Sequence, residues 1–366
     1  MFIGLVHSLT ISQANPTPQR RAMWLKWGSI GPAALFIMSS STQAMAHVKW
    51  FCDYDVAQQP RVLMQVLNID FVALIVVALF ALIGGYLLDQ TLLGHAISRS
   101  LDRVTSLART NTELIVRVTY CCFLICLWWI GGMILTPELK TNSTQVPILQ
   151  LGMAALLTSR RTSALAGVGT VILFGTACRD YGLFHLLDYP IFLGIAAFLI
   201  LPALPRQIRL PVQPLTLVRW STAITLMWAS IEKWAYPEWT LPIYASHPAM
   251  SMGYDFELFM QAAGVIEFTL AFALLWTPLV RRAAAFVLLG MFIGAIAEFG
   301  RLDAIGHSMI IAILVVLAAD GERVGARAGL SLRSVTKPSL SYAIALLAVF
   351  SIYYGLHALM FGTVMV

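Results

Sequence analysis

Stretches of about 20 apolar residues follow one another along most of this chain, and a helix of that length crosses the hydrocarbon core of a bilayer. Four of them fill the segment from Arg219 to Asp320, at 219–236, 256–276, 282–298 and 304–319. Near the middle of the second stands one carboxylate, Glu267, in the run GVIEFTLAFALL. An acid at that depth costs about 2.5 kcal/mol or more to insert, so it must face protein or water rather than lipid. Of the 366 residues 59% are hydrophobic and 11% charged, too few charges to cover a water-soluble domain. The apolar runs are continuous rather than alternating, which argues against a β-barrel. The fold class expected is therefore all-α, a polytopic transmembrane helical bundle with the lipid bilayer as its main partner. The net charge of +6 belongs to loop arginines, and no basic run interleaved with aromatics marks a nucleic-acid surface.

Residues 1–46 read as a cleaved signal peptide. Arg20, Arg21 and Lys26 form its basic region, Ile30 to Met38 its apolar run, and Ala44-Met45-Ala46 its A-x-A site. Met23 offers a second start that gives a leader of ordinary length. Cleavage makes His47 the first mature residue, where amine and imidazole together can chelate a metal such as copper; the alternative is an ordinary surface histidine.

Segment 47–112 holds a short N-terminal stretch, a span at 70–88 and a basic amphipathic helix. In that helix Leu93, Ile97, Leu101, Val104 and Ala108 recur at helical spacing opposite Arg99, Arg103 and Arg109, the pattern of a helix lying on a membrane surface. Further spans are expected at 113–135, 147–158, 163–178 and 190–205, and a last one at 339–360, for about ten mature spans. With His47 outside, the inner loops carry Arg99/Arg103/Arg109, Arg160/Arg161, Arg206/Arg209/Arg219, Arg281/Arg282 and Arg323/Arg327/Arg333/Lys337, while the outer loops are poorer in cations. The positive-inside rule then puts both mature termini in the periplasm of a bacterial inner-membrane protein. His185, His247, His307, Glu232, Glu298 and Asp303 fall at the same outer face.

Two segments share an order of landmarks. LLTSRRTSALAGVGTVILFG (156–175) parallels LLWTPLVRRAAAFVLLGMFIG (274–294), and LLDYPIFLGIAAFLIL (186–201) parallels RLDAIGHSMIIAILVVL (301–317). Arg117 with Pro137-Glu138 matches Arg219 with Pro237-Glu238. Residues 113–205 and 215–320 thus read as two copies of one four-helix unit, with Leu149 or Gln150 where the second copy has Glu267. The second copy also inserts KWAYPEWTLPIYASHPAMSMGYDFE between its first two helices. There Trp234, Tyr236, Trp239, Tyr244 and Tyr254 either anchor the membrane boundary or roof a quinone-sized cavity.

The second copy resembles the DoxX-like membrane proteins. The residues that carry the resemblance are Arg219 opening the first helix, Ala229 to Lys233 closing it before Pro237, Gly264 and Glu267 in the next, and the basic turn Arg281-Arg282. The likeness covers 219–320 well and 113–205 weakly, and this chain is doubled where simple family members are single units. It implies a redox-associated membrane protein, linked to a quinone or supporting an electron-transfer enzyme with a redox partner protein. The alternative is a transporter, a metal-handling protein or a non-catalytic assembly factor.

Within that frame Glu267, Lys233 and Glu232 are the candidate catalytic residues. A buried carboxylate handles protons or ties helices together, and Lys233 is a cation able to pair with Glu267. Trp234, Tyr236 and Trp239 are the candidate cofactor-binding rings. His247, Glu298 and His307, with His47 beside them, are the candidate metal ligands, since imidazole and carboxylate suit iron, manganese or zinc. The cofactor implied is a quinone or a transition metal. Cys52 and Cys178 share the outer side, where a disulfide persists if it forms.

Overall fold

The computed structural model describes residues 48–205, 211–247, 253–321 and 332–362. The expected leader (1–46), His47, and the loop arginines Arg206, Arg209, Arg323 and Arg327 lie outside them. The described residues form helices and no strand; Met133 and Lys140 make an isolated β-bridge. The long helices are α1 (Ile69–Asp89), α2 (Leu92–Val104), α3 (Thr112–Ile130), α4 (Gln145–Leu157), α5 (Ser163–Tyr181), α6 (Pro190–Ile200), α7 (Pro214–Ala235), α8 (Phe256–Ala273), α9 (Pro278–Ala319) and α10 (Leu332–Phe361). Among the described residues five helices are long and apolar enough to cross a membrane: α1, α3, α8, α9 and the part of α10 from Thr336 to Phe361. α1 shows why lipid is the fitting neighbour. It buries Phe71, Ala78, Leu82 and Tyr86 and leaves Val72, Val76, Val77 and Phe80 exposed, so it is apolar on every side. All five cysteines are free, so Cys52 and Cys178 are not bridged.

The 42 residues of α9 would span about 63 Å as one straight helix, twice a bilayer's apolar thickness. They do not run straight. Gly300 has φ 74° and ψ −146°, a conformation that a side chain makes costly. The ends of the element meet: Arg281 Nη1 lies 2.6 Å from Asp320 Oδ2, and Arg282 Nη2 donates to the carbonyl of Ala319 at 3.3 Å. Segments 278–299 and 301–319 are therefore two halves of a helical hairpin, with the rings of Phe292 and His307 at 4.6 Å across it.

Arg281 and Arg282, read from the sequence as loop charges, are 1% and 0% exposed. Their partners come from distant sequence. Asp320 accepts from Arg281 and from Arg219 (3.3 Å), and Asp102 of α2 accepts from Arg282 (2.7 Å) and Arg109. Burial opposes the Asp102 charge, but the hydrogen bonds from Arg282 and Arg109 outweigh it and hold the carboxyl below its usual range. The same guanidinium chemistry closes helix ends, where carbonyls lack intrahelical partners. Arg282 and Arg109 donate to Ala319, and Arg117 donates to Leu157 and Thr158 at the end of α4.

The centre of the bundle is α7, packed between α6 and α8. Close approach depends on small residues, as is usual where lipid supplies no hydrophobic drive between helices. A Cβ at Gly264 would sit 2.2 Å from the indole nitrogen of Trp234, which is itself buried and donates to the Gln261 carbonyl at 3.2 Å. Gly264→Ala should therefore cost about 1–3 kcal/mol through overpacking. Gly290, with open space to 4 Å where a methyl would sit, should accept alanine without loss. Thermal unfolding in detergent checks both.

Candidate functional site

Opposite the buried arginines, at the end where α7 finishes, the helices enclose a cavity of about 330 Å³. The elements that build it come from the whole chain. The short N-terminal helix Val48–Phe51 contributes Lys49 and Trp50, the start of α6 contributes Asp188 and Tyr189, and the end of α7 contributes Glu232 and Lys233. Glu267 of α8 and Asp303 and His307 of α9 complete the polar part, while Leu226, Met260, Met291 and Phe292 are among the apolar wall.

Local geometry explains the pairings. Glu232 and Lys233 are neighbours in sequence and so point about 100° apart on α7. Glu232 accepts from Lys49 Nζ at 2.5 Å, and Lys233 Nζ reaches Glu267 Oε2 at 2.5 Å. Asp303 and His307 are four apart on one helix face, and His307 Nδ1 lies 2.9 Å from Asp303 Oδ2. Each charge in the cavity thus has a partner drawn from a different part of the chain or the next helical turn.

Lys49 is the central cation. Its side chain is 1% exposed and it also donates to Asp188 Oδ2. Burial alone would drive the proton off, but the charges of Asp188, Glu232 and Glu138 outweigh it and raise the ammonium's pKa above lysine's ordinary 10.5. The strap that carries Lys49 is pinned at several points. Trp50 lies 4.8 Å from the His307 ring and covers Gly306, where a Cβ would come within 2.0 Å of it. Tyr236 donates to the Gln58 carbonyl, Trp239 donates to the Gln58 side chain, and Arg61 Nη1 lies 2.6 Å from Glu257.

Beside the cavity, Glu138 accepts a hydrogen bond from Tyr189 and faces His185 Nε2 at 2.8 Å. The Tyr54 hydroxyl stands 3.5 Å from the same nitrogen. Burial, then the Glu138 charge, push the Tyr54 phenol above its ordinary value.

The sequence-derived candidates divide. Glu267, Lys233, Glu232 and His307 line the cavity, as do Tyr236 and Trp239, whose rings stack at 4.1 Å and 2°. Trp234 does not. It is 2% exposed and packs on Phe71, Phe268 and Phe350, because the indole fills the gap left by Gly264. His247 and Glu298 lie outside the cavity wall and approach each other only to 4.0 Å. His307 Nδ1 faces Asp303, and the expected His247, Glu298 and His307 set does not converge among the described residues. Among the described residues the metal-capable trio is Glu138, His185 and Asp188, all buried, with ligand atoms within 4.8 Å of one another. Lys49, Glu138 and Asp188 were missed as site residues. The signal for Asp188 was present in the paired Leu-Asp helix openings, since Asp188 and Asp303 both reach the cavity. Lys49 carries no local signal, because a lysine in an N-terminal stretch is ordinarily solvated.

Removing one partner of a buried charge pair costs about 3–5 kcal/mol. Lys49→Met should therefore lower stability by about that much at roughly neutral pH. Because the folded-state pKa of Lys49 is raised, its contribution is fully present below 10.5 and is lost as pH climbs through the higher folded value. The stability gap between wild type and Lys49→Met should stay level to about pH 10 and shrink above it, as denaturant melts at stepped pH will show. No protein-family model, curated protein or solved structure matches the chain, and the site itself carries the functional reading.

Proposed function

We propose that this chain is a bacterial inner-membrane protein of about ten spans that binds a quinone-class molecule in a periplasm-facing cavity. In this reading residues 113–205 and 215–320 are tandem four-helix units of DoxX-like type, and both mature termini are periplasmic. The observation that carries the function is the Lys233–Glu267 pair, 2.5 Å apart on the wall of an otherwise largely apolar cavity. A quinone headgroup needs an apolar slot for its ring, a donor for a carbonyl oxygen and a nearby group that passes protons. Leu226, Met260 and Phe292 offer the first, Lys233 the second and Glu267 the third. Reduction of the ring takes two electrons and two protons. Glu267 relays the protons, and a redox partner protein supplies the electrons.

The tandem-unit reading is supported by the two Leu-Asp aspartates, Asp188 and Asp303, which line one cavity from opposite halves of the chain. The halves differ where the chemistry differs. Gln150, which with Leu149 is one of the two positions matching Glu267, is fully buried and donates to the carbonyls of Met133 and Ile134 at 2.6 and 2.7 Å. One half thus uses the position to hold its own loop, and the other exposes a carboxylate to the cavity.

A positioned general acid–base group contributes about 10²–10⁴-fold to rate. Glu267→Gln should cut quinone reduction in membranes at least 100-fold while short-chain quinone binding, followed by tryptophan quenching, changes less than about threefold. Unchanged turnover would remove Glu267 from the mechanism, and absence of quinone binding by the wild-type protein would remove the ligand class.

A further inference from the structure

We propose that Glu138, His185 and Asp188 form a binding site for a divalent transition metal of zinc, manganese or iron(II) type, for which Lys49 is the built-in competing cation. The site shares Asp188 and Lys49 with the cavity wall but does not depend on the quinone reading. Its ligands come from two connecting segments: Glu138 from the loop between α3 and α4, His185 and Asp188 from the turn that joins α5 to α6. All three are at least nine-tenths buried, at 8%, 4% and 5% exposure.

Three observations converge. First, the donor set of two carboxylates and one imidazole is that of hard-to-borderline divalent ions rather than of soft copper(I). Second, the spacing suits an ion. His185 Nε2 and Glu138 Oε1 stand 2.8 Å apart. Tetrahedral metal bonds of about 2.0–2.2 Å set ligand edges of about 3.3–3.6 Å, so an ion would widen the Glu138–His185 edge by about half an ångström or more, with the Asp188 ligand atom already within 4.8 Å of both. Third, Asp188 is incompletely used. Its Oδ2 accepts from Lys49, but its buried Oδ1 makes no hydrogen bond.

Charge points the same way. Glu138, Asp188 and Glu232 surround one ammonium, Lys49. Three carboxyl groups thus face one resident cation, and uncompensated buried charge is strongly disfavoured. A divalent ion would offset carboxylate charge that Lys49 leaves unmatched. The Tyr189 hydroxyl, donating to Glu138, orients a ligand carboxylate in the way that outer hydrogen bonds commonly do at metal sites. Lys49 draws on the same Asp188 carboxylate, so the ion and the ammonium compete.

The test uses full-length protein purified in detergent and stripped with chelator, with Zn²⁺ as probe, counted by equilibrium dialysis and elemental analysis. One Zn²⁺ per chain is expected. It should be lost in His185→Gln and in Asp188→Asn and kept in His47→Ala. Lys49→Met should tighten binding about tenfold or more, since it removes the competing charge. No Zn²⁺ on the native protein, or binding that survives both His185→Gln and Asp188→Asn, would overturn the proposal. Should those variants fail to fold, Mn²⁺ bound to His47→Ala protein is read by electron spin-echo modulation. Coupling to one imidazole nitrogen supports the site; coupling to none or to two overturns it.

Discussion

A charged group that leaves water must find its counter-charge inside the protein, and the fold of this chain is arranged around meeting that demand twice. At one end Lys49 joins Asp188, from the front half of the bundle, to Glu232, from the back half. At the other end Arg281, Arg282 and Arg219 gather on Asp320 and Asp102. Neither cluster could form from a single helix pair. Each fixes elements that are far apart in sequence, and between them the apolar helices need only pack.

Packing without a hydrophobic drive between helices requires fit. Gly264 admits the Trp234 indole, Gly306 admits Trp50, and Gly300 lets α9 double back. The same contacts shape the cavity. Trp50 closes it over His307, α9 folds Phe292 against that imidazole, and α7 presents Glu232 and Lys233 in two directions. The buried Lys49 pairs beside this apolar space are costly to maintain for packing alone. That cost is what makes a ligand-binding role the reading with the most support.

Much of this was legible in the residues. Long apolar runs announced the helices, since periodicity and length are local properties. The Lys233–Glu267 pair was visible as one option, an acid in an apolar helix with a cation able to meet it. The stacked Tyr236 and Trp239 were visible as a cluster of rings after α7. What was not legible depends on distance. Arg281 and Arg282 look like surface charges until Asp320 and Asp102 are brought to them. Trp234 looks like its neighbours Tyr236 and Trp239 but turns the other way, into the gap at Gly264. His307 is held by Asp303, one turn away, and the described residues do not gather it with His247 and Glu298 into a ligand set. Glu138, His185 and Asp188 meet only because two connecting segments fold over the same helix ends.

The cavity among these paired charges is where the proposed ligand sits. Photolabelling with an azido-quinone in native membranes, followed by peptide mapping, tests this most directly. Adducts on cavity-wall residues such as Met260, Met291 and Phe292, suppressed by excess unlabelled quinone, are the result the account predicts. Adducts confined to the outward apolar face of α1, at Val76, Val77 or Phe80, would contradict it, because they would report quinone dissolved in lipid rather than held by the protein.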